Sequence, residues 1–335
     1  MKKLQYVPLG FFLKTLICIL LFLLCLSVFL YGVVWTTVLI ICLPRYIWTD
    51  IGIVQYKSYI ILLIPTLLWG LWWAIYVIKH QNKIVLNKTK AIHLPEENHK
   101  EIYQKISLIT RAFNIPMPKI YQVDDTGVNS LMISDKEGES ALIFSSRLIA
   151  NNNIKDIINM ATFHLSEVKS HSNMYHTYII ALTSCFSLWF ELIVSRFFKT
   201  KELPFHLEVL RPFLYPIRFV LLPLIAILSI FALYDRLIAP ILSFFLSTNN
   251  AFKQDKKALM LLQTPSSYIE TLYKVQDNPR VSAFENGATF ISCFQDPTDH
   301  LTFLKLIDTH PNIENRIQKI KKEFKVYFIY EKEEK

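Results

Sequence analysis

Glycine is scarce in this chain, with seven among 335 residues. A phosphate-cradling loop needs several glycines within one turn, and no such cluster occurs, so a nucleotide-binding reading is excluded. The five cysteines are equally uninformative as chemistry. Cys18, Cys25, Cys42 and Cys185 lie in apolar runs and Cys293 stands alone, without CxxC spacing. That excludes a disulfide framework and a thiolate metal centre, and leaves small buried hydrophobes. GxSxG is absent, and Ser145-Ser146 brings no acid–base partner with it. No basic stripe is interleaved with stacking aromatics, so nucleic acid is not an expected partner. His-x-x-x-His, the spacing with which a helix offers two imidazoles to zinc, does not occur either.

What the chain has in quantity is apolar surface. It is 52% hydrophobic and 14% aromatic, with a mean hydropathy of +0.31. These values are too apolar for one ordinary soluble domain and predict membrane spans joined to a modest soluble part. Thr15 to Leu43 and Ser58 to Ile78 are uncharged, and each is long enough to cross a bilayer. Trp69, Trp72, Trp73 and Tyr76 near the end of the second suit the membrane interface. A third apolar stretch, Thr177 to Val194, is interrupted only by Glu191, and a fourth runs from Phe213 to Tyr234. The net charge of +9 fits lysines and arginines flanking the spans, with anionic lipid as their partner. Lys2, Lys3 and Lys14 place the N-terminus in the cytoplasm, and two spans return the chain there, where Lys79, Lys83, Lys88 and Lys90 follow. The expected product is a multi-pass protein of an inner or plasma membrane with a cytoplasmic soluble domain. The basic segment 195–218 leaves the topology of the last two stretches open between full spans and a shallow hairpin.

Four regions follow: an anchor of two spans at 1–79, a soluble region at 80–176, a membrane hairpin at 177–247, and a polar C-terminal part at 248–335. In the soluble region Ala91 to Leu94 reads as a short strand, and Pro95 opens a helix reaching Phe113. Lys119 to Val123, Ser130 to Ser134 and Ser140 to Ser145 read as strands, with Asp135 to Gly138 as the turn between the last two. Asn151 to Asn153 offer caps for a long helix. On that helix His164, Glu167 and His171 fall at i, i+3 and i+7, within roughly 60° of one another. Two imidazoles and a carboxylate in one stripe can form half of a metal site, although polar residues beside an apolar face are more often simply solvated. Thr309-His310-Pro311, followed by Glu314, has the grammar of a helix start.

The order of these features resembles the HtpX-type membrane zinc metalloproteases, relatives of the CAAX prenyl proteases. The resemblance rests on the two N-terminal spans and Ile115-Pro116-Met117-Pro118-Lys119-Ile120-Tyr121. It continues through Val128-Asn129-Ser130, the strand Leu142 to Ser146 and the long helix with two apolar segments behind it. It ends on Phe252-Lys253-Gln254-Asp255 and Thr309-His310-Pro311 with Arg316-Ile317. It implies an α+β, zincin-like peptidase domain joined to about four transmembrane helices. Carried over residue by residue, the three zinc-ligand positions fall on Phe163, Glu167 and Ala251, and the catalytic glutamate on His164. Asp255 and His310 match residues that support the ligands rather than bind metal. Phenylalanine and alanine cannot coordinate, so the resemblance implies a scaffold without its zinc and without peptidase activity. A rebuilt site on Glu167 and His171 is the alternative that would restore zinc. The family's edge strand, at Asn129 and Ser130 or along Leu142 to Ser145, can hold an extended peptide without catalysis. Partner peptides or membrane-protein segments are therefore the expected ligands, and a purely structural membrane anchor is the remaining reading.

Overall fold

The computed structural model describes residues 13, 15–27, 51–134, 139–150, 153–168, 172–184, 238, 242, 251–278, 281, 284, 289–295 and 311–324, with side chains of 51–62, 172, 290 and 291 set aside. The chain divides into two compact units. One comprises residues 1–80 and 181–242, the other residues 81–180 and 243–335.

In the first unit, residues 15–27 form a helix (α1), and Ile51–Thr89 begins there as a second (α2). Gly70 packs against α1: a Cβ at this position would lie 2.6 Å from Leu23 Cδ2 and 2.9 Å from Leu26 Cδ2, so a larger residue requires those leucine side chains to shift. Phe22, Leu26 and Ala74 are fully buried at this crossing. The indole N–H of Trp73 donates to the Leu182 carbonyl at 2.8 Å. The opposite faces carry large apolar side chains outward, among them Leu20, Leu24, Ile64, Leu68 and Trp72. Among the described residues no helix is long and apolar enough to cross a membrane. The expected span at 213–234 lies outside the described residues, as do most of 15–43 and of 177–194.

The second unit is built on a four-stranded mixed sheet of order β1-β2-β4-β3: β1 Ile92–His93, β2 Lys119–Val123, β3 Ser130–Ser134 and β4 Ser140–Ser145. β2 and β4 are parallel, with Ile120 opposite Leu142, whereas β3 runs antiparallel to β4 with Leu131 opposite Ile143. The sheet therefore has both parallel and antiparallel pairs, and β4 is interior to it. Every residue of β3 and β4 is buried, which marks strands covered on both faces. The turn expected at 135–138 lies outside the described residues.

Helix α3 (Lys100–Phe113) follows a short 3-10 turn at Glu96–Asn98 rather than starting at Pro95. It buries Ile102, Ile106, Ile109 and Thr110, one stripe at helical spacing. Asn114 ends it in the left-handed region at φ 50°, and the Ile115 N–H returns to the Thr110 carbonyl at 3.0 Å. After the short α4 (Ser146–Ala150) comes α5 (Ile154–Leu165), which touches α3, β3 and two C-terminal helices. These are α7 (Ala251–Leu262) and α8 (Pro265–Asp277), reached in sequence after α6 (Ser172–Thr183). α9 (Ile313–Phe324) packs on α7 and α8. Its start is capped by Asn312, whose side chain accepts the Glu314 N–H at 3.1 Å, one residue beyond the expected Thr309-His310-Pro311. Phe163, Ala251, Tyr268, Phe294 and Ile317 belong to the single core these helices share with the sheet.

Candidate functional site

The end of α5 is where the resemblance places the metal. Helix α5 stops at Leu165, because Ser166 caps it and the Glu167 N–H bonds three residues back to the His164 carbonyl. Of the expected stripe, His164 lies in the last turn of α5 and Glu167 just past its end, whereas His171, like His310, lies outside the described residues. The Ser166 hydroxyl donates to the Phe163 carbonyl at 2.7 Å, so the last turn satisfies itself with a side chain.

Phe163 is 2% exposed and Ala251 1% exposed. The Phe163 ring meets Phe294 edge-on, with centroids 4.8 Å apart, and Tyr268 lies 6.2 Å from Phe294. Above the two phenylalanines stands a cation. The Arg316 guanidinium carbon is 4.9 Å from the Phe163 centroid and 4.7 Å from that of Phe294. Arg316 is wholly buried, and its Nε and Nη2 donate to both oxygens of Asp255 at 2.9 and 2.7 Å. Its Nη1 donates to the Phe294 carbonyl at 2.8 Å and to Gln295 Oε1 at 3.2 Å. The Tyr268 hydroxyl donates to Asp255 Oδ1 at 2.8 Å.

This fork-on-carboxylate arrangement sets the local electrostatics. Burial, and next the Asp255 charge, push the Tyr268 hydroxyl well above the ordinary phenol range, so it stays a donor. Burial alone would lower the Arg316 pKa, but the adjacent Asp255 carboxylate outweighs it and the net direction is upward. Arg316 is a permanent charge inside this core.

His164 faces the sheet. Its Nε2 lies 3.0 Å from the Ser130 hydroxyl, and both residues are buried. Ser130 and Asn129 open β3, the outer strand in the sheet order. β3 is not bare. Cys293 forms an antiparallel bridge with Leu131, and the Phe294 N–H donates to the Ser130 carbonyl at 2.9 Å. The Asn129 side-chain amide donates to the Gln295 carbonyl at 2.8 Å and accepts the Gln295 N–H at 3.4 Å.

The donor set does not fit a zinc ion. Phe163 and Ala251, at two of the three positions the resemblance gives to ligands, carry no donor atom. Among the described residues no group of three His, Cys, Asp or Glu side chains could hold a metal. Sequence reasoning found Phe163, His164, Ala251 and Asp255, and saw Arg316 only as part of a motif. It missed Tyr268, Phe294 and Gln295. Nothing in their local sequence singles them out, since each acquires its place through contacts far along the chain.

Residues 96–324, more than half of the chain, match the model of peptidase family M48. Among curated proteins the chain is similar to two described as "Protease HtpX homolog" from Streptococcus pneumoniae. The one from strain Hungary19A-6 is 22% identical and the one from strain Taiwan19F-14 is 23% identical. Each alignment covers 268 residues, 77% of this chain and 85% of the relative. No solved structure matches. With the match running from the start of the sheet-bearing region to the end of α9, the chain belongs to peptidase family M48.

Proposed function

We propose that this protein is a catalytically silent M48 homologue, embedded in a membrane, that binds extended segments of a partner peptide or of membrane proteins. One observation carries the first part: Phe163 and Ala251, at two positions the resemblance gives to zinc ligands, are buried apolar side chains of the core. A metal-activated water requires three protein ligands and an open fourth position, and here two of the three ligand positions are apolar. His164 is held against Ser130, where it has no polarised water to deprotonate. No resident cofactor is part of this reading.

Membrane embedding is supported by the apolar runs of the sequence and by the outward apolar faces of α1 and α2. Close helix contact at Gly70 suits a bundle in lipid. The orientation follows the lysine distribution, with the sheet-bearing unit on the cytoplasmic side of an inner or plasma membrane.

The test is elemental analysis of detergent-purified protein together with hydrolysis of an unstructured protein substrate. The expected result is zinc well below one equivalent per chain and no chelator-sensitive cleavage. One bound zinc, lost on substituting Glu167 or His171, together with chelator-sensitive proteolysis, would falsify the proposal and favour a rebuilt metal site.

A further inference from the structure

The described segment Ser292–Gln295 does to β3 what a bound peptide would do. It lies antiparallel, forms the Leu131–Cys293 bridge, and donates the Phe294 N–H to the Ser130 carbonyl at 2.9 Å. Asn129 extends the ladder by one residue, its side-chain amide standing in for a peptide group to both polar atoms of the Gln295 backbone, at 2.8 and 3.4 Å. On its other side the segment is held by Arg316, which donates to the Phe294 carbonyl at 2.8 Å and to Gln295 Oε1 at 3.2 Å. Between these two grips the Phe294 ring enters a fully buried pocket walled by Phe163, Tyr268 and the Arg316 guanidinium.

We propose that Ser292–Gln295 is an internal competitor for the partner site on β3, and that the site takes an extended segment with an aromatic side chain followed by a glutamine-like acceptor. The inference rests on the peptide-binding reading above and specifies its ligand. Each element of the recognition is filled by a known occupant: backbone pairing by β3, a side-chain amide by Arg316, and an aromatic ring by the pocket. Backbone pairing gives affinity to any extended chain, and the pocket supplies the selectivity. The position where the family carries a zinc ligand becomes, as Phe163, the floor of an aromatic pocket. A partner gains the site only as the internal segment leaves it, so its apparent affinity is reduced by the fraction of chains in which the segment is seated.

The probe is a fluorescein-labelled synthetic heptapeptide with the sequence of residues 289–295, serine replacing its cysteine, titrated into full-length protein in detergent. Phe294→Ala removes the internal ring and leaves Phe163, Tyr268 and Arg316 in place. The dissociation constant is expected to fall by about ten- to a hundredfold relative to wild type, the change when a site open in ~1–10% of chains becomes open in most. A heptapeptide with alanine at its second aromatic position is expected to lose that gain. Leu131→Cys provides an independent arm that keeps Phe294, because its thiol would face Cys293 across the bridge and pair under oxidation. The oxidised variant is expected not to bind the peptide, and reduction to restore binding to the wild-type level. Equal affinity of wild type and Phe294→Ala, indifference to the aromatic residue, or unchanged binding by the cross-linked form would overturn the inference. If Phe294→Ala does not fold, the cross-linked arm decides alone. The peptide is recovered and weighed by mass spectrometry in every titration: chelator-sensitive cleavage refutes catalytic silence, whereas an intact peptide that ignores these variants refutes only the internal competitor.

Discussion

The two ends of the site obey different rules. At the α5 end, the residue types are those of a hydrocarbon core: Phe163 and Ala251 are both buried in the core cluster that includes Phe294. A few ångströms away, Asp255, Tyr268 and Arg316 form a polar cluster with every contact short and directional. The difference has a physical cause. An apolar side chain is held by non-directional packing, so its contribution grows with the area it buries and names no single partner. A buried ion pair is coupled to itself, since removing either partner strands the other charge in a low-dielectric interior. The contrast shows why Asp255 and Arg316 depend on each other, while Phe163 and Ala251 depend only on being buried.

The largest effect that would sharpen this contrast is Arg316→Leu. It leaves Asp255 buried without its bidentate partner and is expected to cost about 3–5 kcal/mol, enough to unfold a marginal domain. Denaturant unfolding in detergent reads it, and the paired Asp255→Leu/Arg316→Leu variant should recover much of the loss. Loss of under ~1 kcal/mol on Arg316→Leu would remove the distinction between the two ends. Phe163→Ala opens a cavity between Phe294 and the guanidinium, with an expected cost of about 3–5 kcal/mol, comparable in size but of apolar origin and not rescued at Asp255. Phe163→His should be destabilised as well and bind no more zinc than wild type, because a lone imidazole is not a three-ligand site.

Next comes Tyr268→Phe, which removes a hydrogen bond to a charged group worth about 1.5–3 kcal/mol. It also carries a pH signature. The folded-state pKa of Tyr268 is raised, so its contribution is fully present below the unfolded tyrosine value near 10. It is lost as pH rises through the interval up to the folded pKa, at ~1.4 kcal/mol per pH unit. The wild type should therefore lose stability above about pH 10 more steeply than Tyr268→Phe. Parallel profiles would show that the phenol ionises as freely folded as unfolded. Smallest is Ser130→Ala, expected at about 1 kcal/mol, read together with the His164 imidazole resonances, which should shift when the hydroxyl at Nε2 is removed.

Much of this was legible in the sequence where local pattern carries the information. β2, β3 and β4 lie at the expected residues because alternating and β-branched runs bounded by turn residues have few other ways to fold. The end of α5 at Leu165 was not, because a helical wheel assumes that the helix continues and so puts Glu167 on it. The cap of α9 moved from Thr309 to Asn312 for a related reason: both residue types can cap, and packing of Ile313 and Ile317 into the core selects the start.

By itself the sequence determined which side chains can coordinate a metal and which cannot. Coordination is a property of atoms, and no fold can make Phe163 or Ala251 donate a lone pair to zinc. Only the tertiary structure decided what occupies their place. The Asp255–Arg316 pair spans 61 residues, and the Asn129–Gln295 contact spans 166. Contacts that distant in the chain leave no periodicity to read, because they are selected by the packing of β3, α5, α7 and α9 around one core. That packing placed a guanidinium over Phe163 and laid Ser292–Gln295 along β3.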